Sequence, residues 1–211
     1  MNSSKRIVLQ KFADALADKV PMTPVVYKAF TQIERELFVP RGFAQWAYRL
    51  DALPIKADQW ISSPVTVAKM TLFLEPEGAD NVLEIGCGSG YQAAILSRIF
   101  RRVFTIERID SLLKEARERF KKLDIHNIHT RLDDGQRGWR QFAPFDRILF
   151  SASTPKVPDT LFEQLADNGI LVAPIEQREK QVITRFKKEN GQITQKPLDE
   201  CLFVPVKDGI A

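Results

Sequence analysis

The sequence predicts an α/β fold, a mostly parallel sheet with helices on both faces and a C-terminal antiparallel hairpin. Three observations carry this. Val82-Leu83-Glu84-Ile85 runs into alternate glycines at 86, 88 and 90 and then into Tyr91-Gln92-Ala93-Ala94-Ile95-Leu96, which reads as strand, tight turn and helix. From that turn to residue 175 strand and helix patterns alternate, which demands parallel strands joined by crossover helices. After Pro174 the alternation stops, and two apolar runs flank a polar stretch that holds Gly191 and no helix, as suits a hairpin at the sheet edge.

In chain order, residues 4–19 place Ile7, Val8, Phe12 and Leu16 at helical spacing, with Val20 just beyond. A second amphipathic helix is predicted over 24–37, with Pro24 in its first turn and Val26, Ala29, Phe30, Ile33 and Leu37 on one face. Both precede the glycine turn, so they form a cap rather than crossovers. Residues 38–63 have no period of their own but carry Phe43, Trp46, Tyr48 and Trp60, too aromatic for disorder. They are read as a binding loop folded over the site. Ser63 then caps a helix that starts at Pro64 and runs to residue 74.

The core elements follow as strand 80–85, helix 91–99, strand 103–107, helix 110–122, strand 127–131, strand 145–151, helix 158–166 and strand 169–175. The hairpin strands are placed at 181–186 and 201–205. One domain is expected over 1–211, with a helical cap and substrate loop at 1–75 and the ligand-binding core at 76–211.

The glycine turn alone does not distinguish nucleotide ligands, but its acid does. A pyrophosphate seated on the following helix would be repelled by Glu84, and the G-x-G-x-G spacing departs from the dinucleotide pattern. Glu84 therefore points to a cationic group. Glu107 closes the next strand about twenty residues beyond the turn, where a carboxylate accepts the ribose hydroxyl protons. Asp134, in Asp133-Asp134-Gly135 after the third strand, can accept the adenine amino proton or serve an ordinary Asx turn. An ammonium and a ribose without a pyrophosphate describe S-adenosyl-L-methionine.

Composition sets the compartment. The chain is 44% hydrophobic and 27% charged, which is ordinary for a globular protein, and no run approaches the roughly eighteen apolar residues that span a bilayer. Lys5, Arg6 and Lys11 are not followed by the apolar core of a signal peptide. A cytoplasmic protein without a membrane partner is expected, with Cys87 and Cys201 reduced. The net charge of +4 gathers between Arg98 and Arg140, but Glu115, Glu118 and Asp124 are interleaved there, so a solvated helix face is expected rather than a nucleic-acid surface. His126 and His129 flank a strand and are read as structural, and no residue spacing suggests a metal.

These motifs together resemble the protein-L-isoaspartate (D-aspartate) O-methyltransferase family of class I methyltransferases, over nearly the whole chain. The resemblance runs through Arg35-Glu36-Leu37-Phe38-Val39-Pro40, Leu53-Pro54-Ile55, Ile61-Ser62-x-Pro64, the glycine turn, Glu107-Arg108-Ile109, Asp134-Gly135-x-x-Gly138-Trp139 and Phe203-Val204-Pro205. It implies a Rossmann-like sheet of seven strands and transfer of a methyl group to the α-carboxylate of isoaspartyl residues in damaged proteins, and a monomer is expected. It also implies that Glu84, Gly86, Gly88, Glu107 and Asp134 hold the cofactor, with Cys87, Ser89, Arg108 and Gly135 completing the set. Ser62 would sit beside the transferred methyl and the acceptor. Such an acceptor is already ionised at neutral pH and needs no general base.

The departures from the family's pattern concentrate in the substrate loop, Leu53, Pro54, Ile55, Lys56, Asp58, Trp60 and Ile61. Lys56, Asp58, Trp60 and Ser63 stand where the family has glycine, glycine, threonine and glutamine, and Asp133 replaces a glycine. The expectation is that Asp58 repels an anionic acceptor unless Lys56 neutralises it, so that transfer is weak and reversion of the loop restores it. A methyltransferase of the same fold acting on RNA or a small molecule, and a module that binds the cofactor without turnover, remain as alternatives at this level.

Overall fold

The computed structural model describes residues 3–211. Helix α1 (Ser3–Ala17) buries Leu9, Phe12, Ala13 and Leu16. Ile7 and Val8, assigned to its apolar face, stand in solvent, and the buried stripe begins at Leu9 instead. Helix α2 (Pro24–Phe30) stops seven residues short of the predicted 24–37. The reason is local: the backbone N–H of Thr31 and its hydroxyl both donate to the Lys28 carbonyl, at 3.2 and 2.8 Å, which tightens the last turn and ends the ladder. A separate 3-10 turn over Arg35–Phe38 then buries Phe38 and turns Leu37 outward, against the expected face.

The stretch read as irregular contains a second 3-10 turn (Arg41–Trp46) and a minimal hairpin. Its strands β1 (Leu53–Pro54) and β2 (Trp60–Ile61) pair antiparallel, with Leu53 opposite Ile61. The tip closes through Ile55 N–H to the Gln59 carbonyl at 2.8 Å, with Ala57 and Asp58 both left-handed, at φ 58° and 52°. Helix α3 (Pro64–Phe73) starts as predicted, with the Ser63 hydroxyl accepting from the Thr66 N–H at 3.1 Å.

The main sheet comprises β3 (Asn81–Ile85), β4 (Arg102–Glu107), β5 (Ile128–Leu132), β6 (Phe145–Phe150), β7 (Leu165–Gln177), β8 (Lys180–Glu189) and β9 (Gln192–Cys201). Their order is β5-β4-β3-β6-β7-β8-β9, parallel as far as β7 and antiparallel thereafter. Helices α4 (Tyr91–Leu96), α5 (Asp110–Lys122) and α6 (Asp159–Gln164) make the crossovers. Because strand side chains alternate, Val82 joins a core shared with α1–α5, whereas Leu83 and Ile85 join the opposite one with Leu161 of α6. The chain leaves β3 for β4 and β5 and returns to β6 on β3's other side. The crevice beyond the β3 and β6 ends is thus the topological switch point where open α/β sheets bind ligands.

Two strand predictions need correction. The strand placed at 169–175 is the longer β7, which begins at Leu165 as soon as α6 ends, with a register shift opposite Phe145 and Arg147. The last hairpin strand is β9 at Gln192–Cys201, which begins inside the stretch 187–195 read as a polar connection and ends where the strand placed at 201–205 was to start. As an edge strand β9 is exposed on both faces along most of its length, so hydrophobic alternation is missing. The usable signal was Asn190-Gly191, both at positive φ, the dipeptide of a tight hairpin turn. Residues 202–211 instead fold back across the ends of β4, β5 and β6.

Candidate active site

A cleft opens at the C-terminal ends of β3, β4 and β6, floored by the glycine turn and walled on the cap side by β2 and α3. At its base lies Glu84, fully buried on the face of β3 that looks toward the cap. Two hydroxyls donate to its carboxylate, Thr105 at 2.6 Å and Ser151 at 3.1 Å, and no cation pairs with it among the described residues. Burial drives its pKa up to about 8, partly opposed by those hydroxyls. A buried carboxylate with only neutral donors is a place prepared for a cation.

Glu107 ends β4 against the glycine turn. Its Oε2 accepts from the Gly88 N–H at 2.8 Å and its Oε1 from the Ile109 N–H at 2.9 Å. A carboxylate has about four lone-pair sites, so each oxygen retains capacity for a ligand hydroxyl. Gly88 stands at φ +53°, and a Cβ there would meet no protein atom within 4 Å, which leaves that side open to a ligand. Gly90 serves packing instead: at φ +87° a Cβ would come within 2.8 Å of the Phe120 ring of α5.

Of the residues assigned to the site, Ser62, Glu84, Gly86, Cys87, Gly88, Ser89, Glu107, Arg108 and Gly135 all line this one cleft, as do Trp60 and Ile61 of the substrate loop. Asp134 lies just behind Gly135, outside the lining. Its Oδ1 accepts from the Gln136 N–H, and its Oδ2 accepts from the Gly209 N–H at 3.0 Å, so the C-terminal segment already engages the carboxylate assigned to adenine. Arg108 is likewise engaged, donating to the Gly209 and Asp208 carbonyls at 3.0 and 3.4 Å. Cys87 is buried, and burial pushes its thiol well above the ordinary range.

The altered loop is placed differently from expectation. Leu53, Pro54, Ile55, Lys56 and Asp58 do not line the cleft. Lys56 pairs with Glu115 of α5 and not with Asp58, which points into solvent at the hairpin tip. Glu115 is shared at 2.8 Å with Arg119, whose guanidinium donates to the Ser89 carbonyl at 3.0 Å, so the tip is tied through α5 to the glycine turn. Lys56, foremost, and Arg119 hold the Glu115 carboxyl below its usual range. Ser63 caps α3. Of the four loop departures only Trp60, 54% exposed, reaches the cleft wall.

Ser62 follows β2 directly. Its carbonyl accepts from the Arg35 guanidinium at 3.2 Å, while its hydroxyl has no hydrogen-bond partner among the described residues. It is available to an acceptor. Sequence reasoning missed Ser151 and Ala152 after β6, Thr66 and Met70 of α3, and Phe203 to Lys207. Ser151 had a signal in its position at a strand end beside the switch point, and Thr66 and Met70 in their spacing of one helical turn. The segment 203–207 was legible only as the motif Phe203-Val204-Pro205, with nothing to place it at the cleft, because it reaches the cleft through pairing with Ser153: Ser153 N–H to the Val204 carbonyl at 2.8 Å and Val206 N–H to the Ser153 carbonyl at 2.7 Å.

The basic residues between Arg98 and Arg140 are widely paired, Arg101 and Arg102 with Asp80, Lys114 with Asp110, Arg131 with Asp133 and Arg140 with Glu163. His126 contacts Asp124, and His129 stacks on Phe104. The described residues hold no group of three or more metal-ligating side chains and no helix long and apolar enough to cross a membrane.

Known proteins resemble this chain over most or all of its length. A family model described as protein-L-isoaspartate(D-aspartate) O-methyltransferase matches residues 10–211. The chain is 53% identical over 211 residues to a protein-L-isoaspartate O-methyltransferase of Helicobacter pylori strain G27, covering all of both chains. It is 46% identical over 186 residues to a protein of the same name from Maricaulis maris strain MCS10, covering 88% of this chain and 87% of the other. A solved protein-L-isoaspartate O-methyltransferase superposes with a TM-score of 0.85 at 27% identity, over 93% of this chain and 65% of that one. A Plasmodium falciparum structure, determined with S-adenosyl-L-homocysteine, gives 0.84 at 23% identity over 94% and 98%, and shares the fold.

Proposed function

The chain belongs to the protein-L-isoaspartate(D-aspartate) O-methyltransferase family, and from that membership we propose how its own residues divide the work. It is an S-adenosyl-L-methionine-dependent carboxyl methyltransferase with the class I fold, acting on isoaspartyl residues in protein repair.

The cleft fits the cofactor on its own terms. Glu84 offers a buried carboxylate without a cation, Gly88 leaves room where a side chain would stand, and Glu107 keeps lone pairs free after its two backbone bonds. We assign Glu84 to the ammonium and Glu107 to the ribose hydroxyls, and Asp134, behind the lining, to the adenine amino group through the lone pairs that Gln136 and Gly209 leave free, with Gly86, Cys87, Ser89, Arg108 and Gly135 shaping the walls. The cofactor supplies a methyl group on a positively charged sulfur. Ser62, at the cap side, orients the acceptor carboxylate through its unpartnered hydroxyl. No residue has to remove a proton, because an α-carboxyl with a pKa near 3.5 is ionised at pH 7. The residues therefore act by placement and by exclusion of water, which favours a step in which opposite charges cancel.

The observation that carries this reading is the convergence of Ser62, Glu84 and Glu107 from three separate elements on one cleft. We further assign the chain to one domain, since side chains of α1–α3 share a core with β3, α4 and α5. A cytoplasmic monomer without a nucleic-acid partner is supported by three features. Both cysteines are unpaired, the edge strand β9 carries Lys196 and Pro197 that discourage edge pairing, and the basic residues near α5 are matched by acids. The test is transfer of labelled methyl to an isoaspartyl peptide and to its aspartyl isomer, with S-adenosylhomocysteine binding measured in parallel. Transfer to the first alone is expected. Binding without transfer to either peptide overturns the assignment.

A further inference from the structure

Arg35 is completely buried, yet it has no carboxylate within ion-pair distance among the described residues. Its guanidinium is held by backbone carbonyls alone, Ala47 at 2.6 Å, Asp51 at 3.1 Å and Ser62 at 3.2 Å. Its Nε is buried without a partner, and so is the hydroxyl of Tyr91, over whose ring the guanidinium lies at 5.7 Å. Both Ser62 and Tyr91 line the cleft. Burial disfavours the charged form of Arg35, but an arginine stays protonated in proteins, so the cation persists in a low-dielectric wall.

A scaffold that only had to bridge three carbonyls would not need a full charge, and Asp51 offsets it only from beyond ion-pair distance, so burying this cation is costly. The expense makes sense if the counter-charge arrives with the substrate. We propose that Arg35 is a positioning residue for methyl transfer. Its fork fixes Ser62 at the cleft wall, and its charge, with no carboxylate in direct contact, selects an acceptor that brings one. This rests on the carboxyl methyltransferase reading above and names what in the chain enforces it. The geometry explains why the cation sits behind Ser62 rather than in the cleft. Direct contact would hold the carboxylate oxygen too firmly for it to act as a nucleophile, whereas a field from behind the wall lowers the energy of the bound anion and leaves its oxygens free.

The test uses full-length protein with S-adenosylhomocysteine bound, and measures affinity for an isoaspartyl peptide and for the same peptide with the acceptor carboxyl converted to a primary amide. Wild type should favour the acid. Arg35→Gln should reduce that preference by about tenfold, the scale of a charge interaction across a wall of intermediate dielectric, with S-adenosylhomocysteine affinity unchanged. Arg35→Lys should retain the preference but lower kcat, because the charge survives and the fork that holds Ser62 does not. An unchanged acid-to-amide ratio in Arg35→Gln overturns the proposal even if the variant is less stable, since loss of scaffolding alone would weaken both peptides equally. Should Arg35→Gln not fold, wild type still decides. A preference generated by a buried cation persists at about 1 M salt, where the screening length is roughly 3 Å, whereas one generated by exposed lysines collapses and refutes the role of Arg35. If wild type methylates neither peptide, the functional assignment fails and this inference with it, whereas methylation with an unchanged acid-to-amide ratio in Arg35→Gln overturns this inference alone.

Discussion

Replacing Glu84 by glutamine should uncouple cofactor affinity from pH. With its carboxyl pushed up to about 8 by burial, Glu84 in the ligand-free protein is ionised in roughly one molecule in ten at pH 7. An ammonium seated beside it requires the carboxylate, so binding S-adenosylhomocysteine should release close to one proton at pH 7. The cost of ionisation scales the dissociation constant by one plus ten to the power of pKa minus pH. That factor falls from ~100 at pH 6 to ~2 at pH 8, a gain in affinity of roughly fiftyfold. Calorimetric titration in two buffers of different ionisation enthalpy reads both the affinity and the proton count. Glu84→Gln should show neither slope nor proton release, and its deficit against wild type should widen by that same fiftyfold or so between pH 6 and 8. Folding stability moves in the opposite sense. A folded pKa of about 8, above the ordinary 4.5, means that the protonated native form is favoured. The stabilisation is fully present below pH ~4.5, declines through the interval to ~8 and is absent above it, on the order of 5 kcal/mol in total. The ligand-free variant should therefore gain in Tm relative to wild type as pH rises from 5 to 8. Affinity that is flat from pH 6 to 8, with no buffer dependence of the heat, would refute a protonated Glu84 as the cation site.

Other perturbations separate the remaining roles. Ser62→Ala should leave S-adenosylhomocysteine affinity within about twofold while lowering kcat, and equal losses in both would return Ser62 to a structural part. Gly88→Val should abolish cofactor binding, since its side chain enters space that no protein atom occupies, and should also lower stability because the backbone there is left-handed. Gly90→Ala should instead lower stability by about 2–4 kcal/mol, from a left-handed backbone and overlap with Phe120, as read by chemical denaturation. In the substrate loop, Trp60→Thr should change the acceptor KM, whereas Lys56→Gly and Asp58→Gly, away from the cleft lining, should leave it within about twofold. Lys56→Gly should cost at most ~1 kcal/mol of stability, because that pair is exposed on the lysine side. Burial pushes the Cys201 thiol up to about 11 and raises the Cys87 thiol as well, so iodoacetamide at pH 7.5 should label neither in the folded protein and both in denaturant.

The sequence by itself determined the βα alternation, the glycine turn, the cap on α3 and the two acids that end beside the turn. Each is a signal carried by neighbours in the chain: strand period, helix period, a capping hydroxyl, a glycine where the backbone turns left-handed. Glu84 and Glu107 were legible because each sits on a strand whose end is marked by its own residues. Short-range pattern failed where burial was one-sided or absent. Strand β9 presents no apolar alternation, and α2 ended on a threonine that the apolar spacing continued past. The consequences of the altered loop were also undecidable from spacing, since Lys56 lies 59 residues from Glu115 and the two meet only because the hairpin folds onto α5. The same holds for Arg35 and Ser62, 27 residues apart, and for Gly209 on Asp134, 75 residues apart. Local propensity specifies which elements form. Which side chains share a wall is decided when loops close and apolar faces are buried together, and that free energy depends on the whole arrangement rather than on any stretch of it.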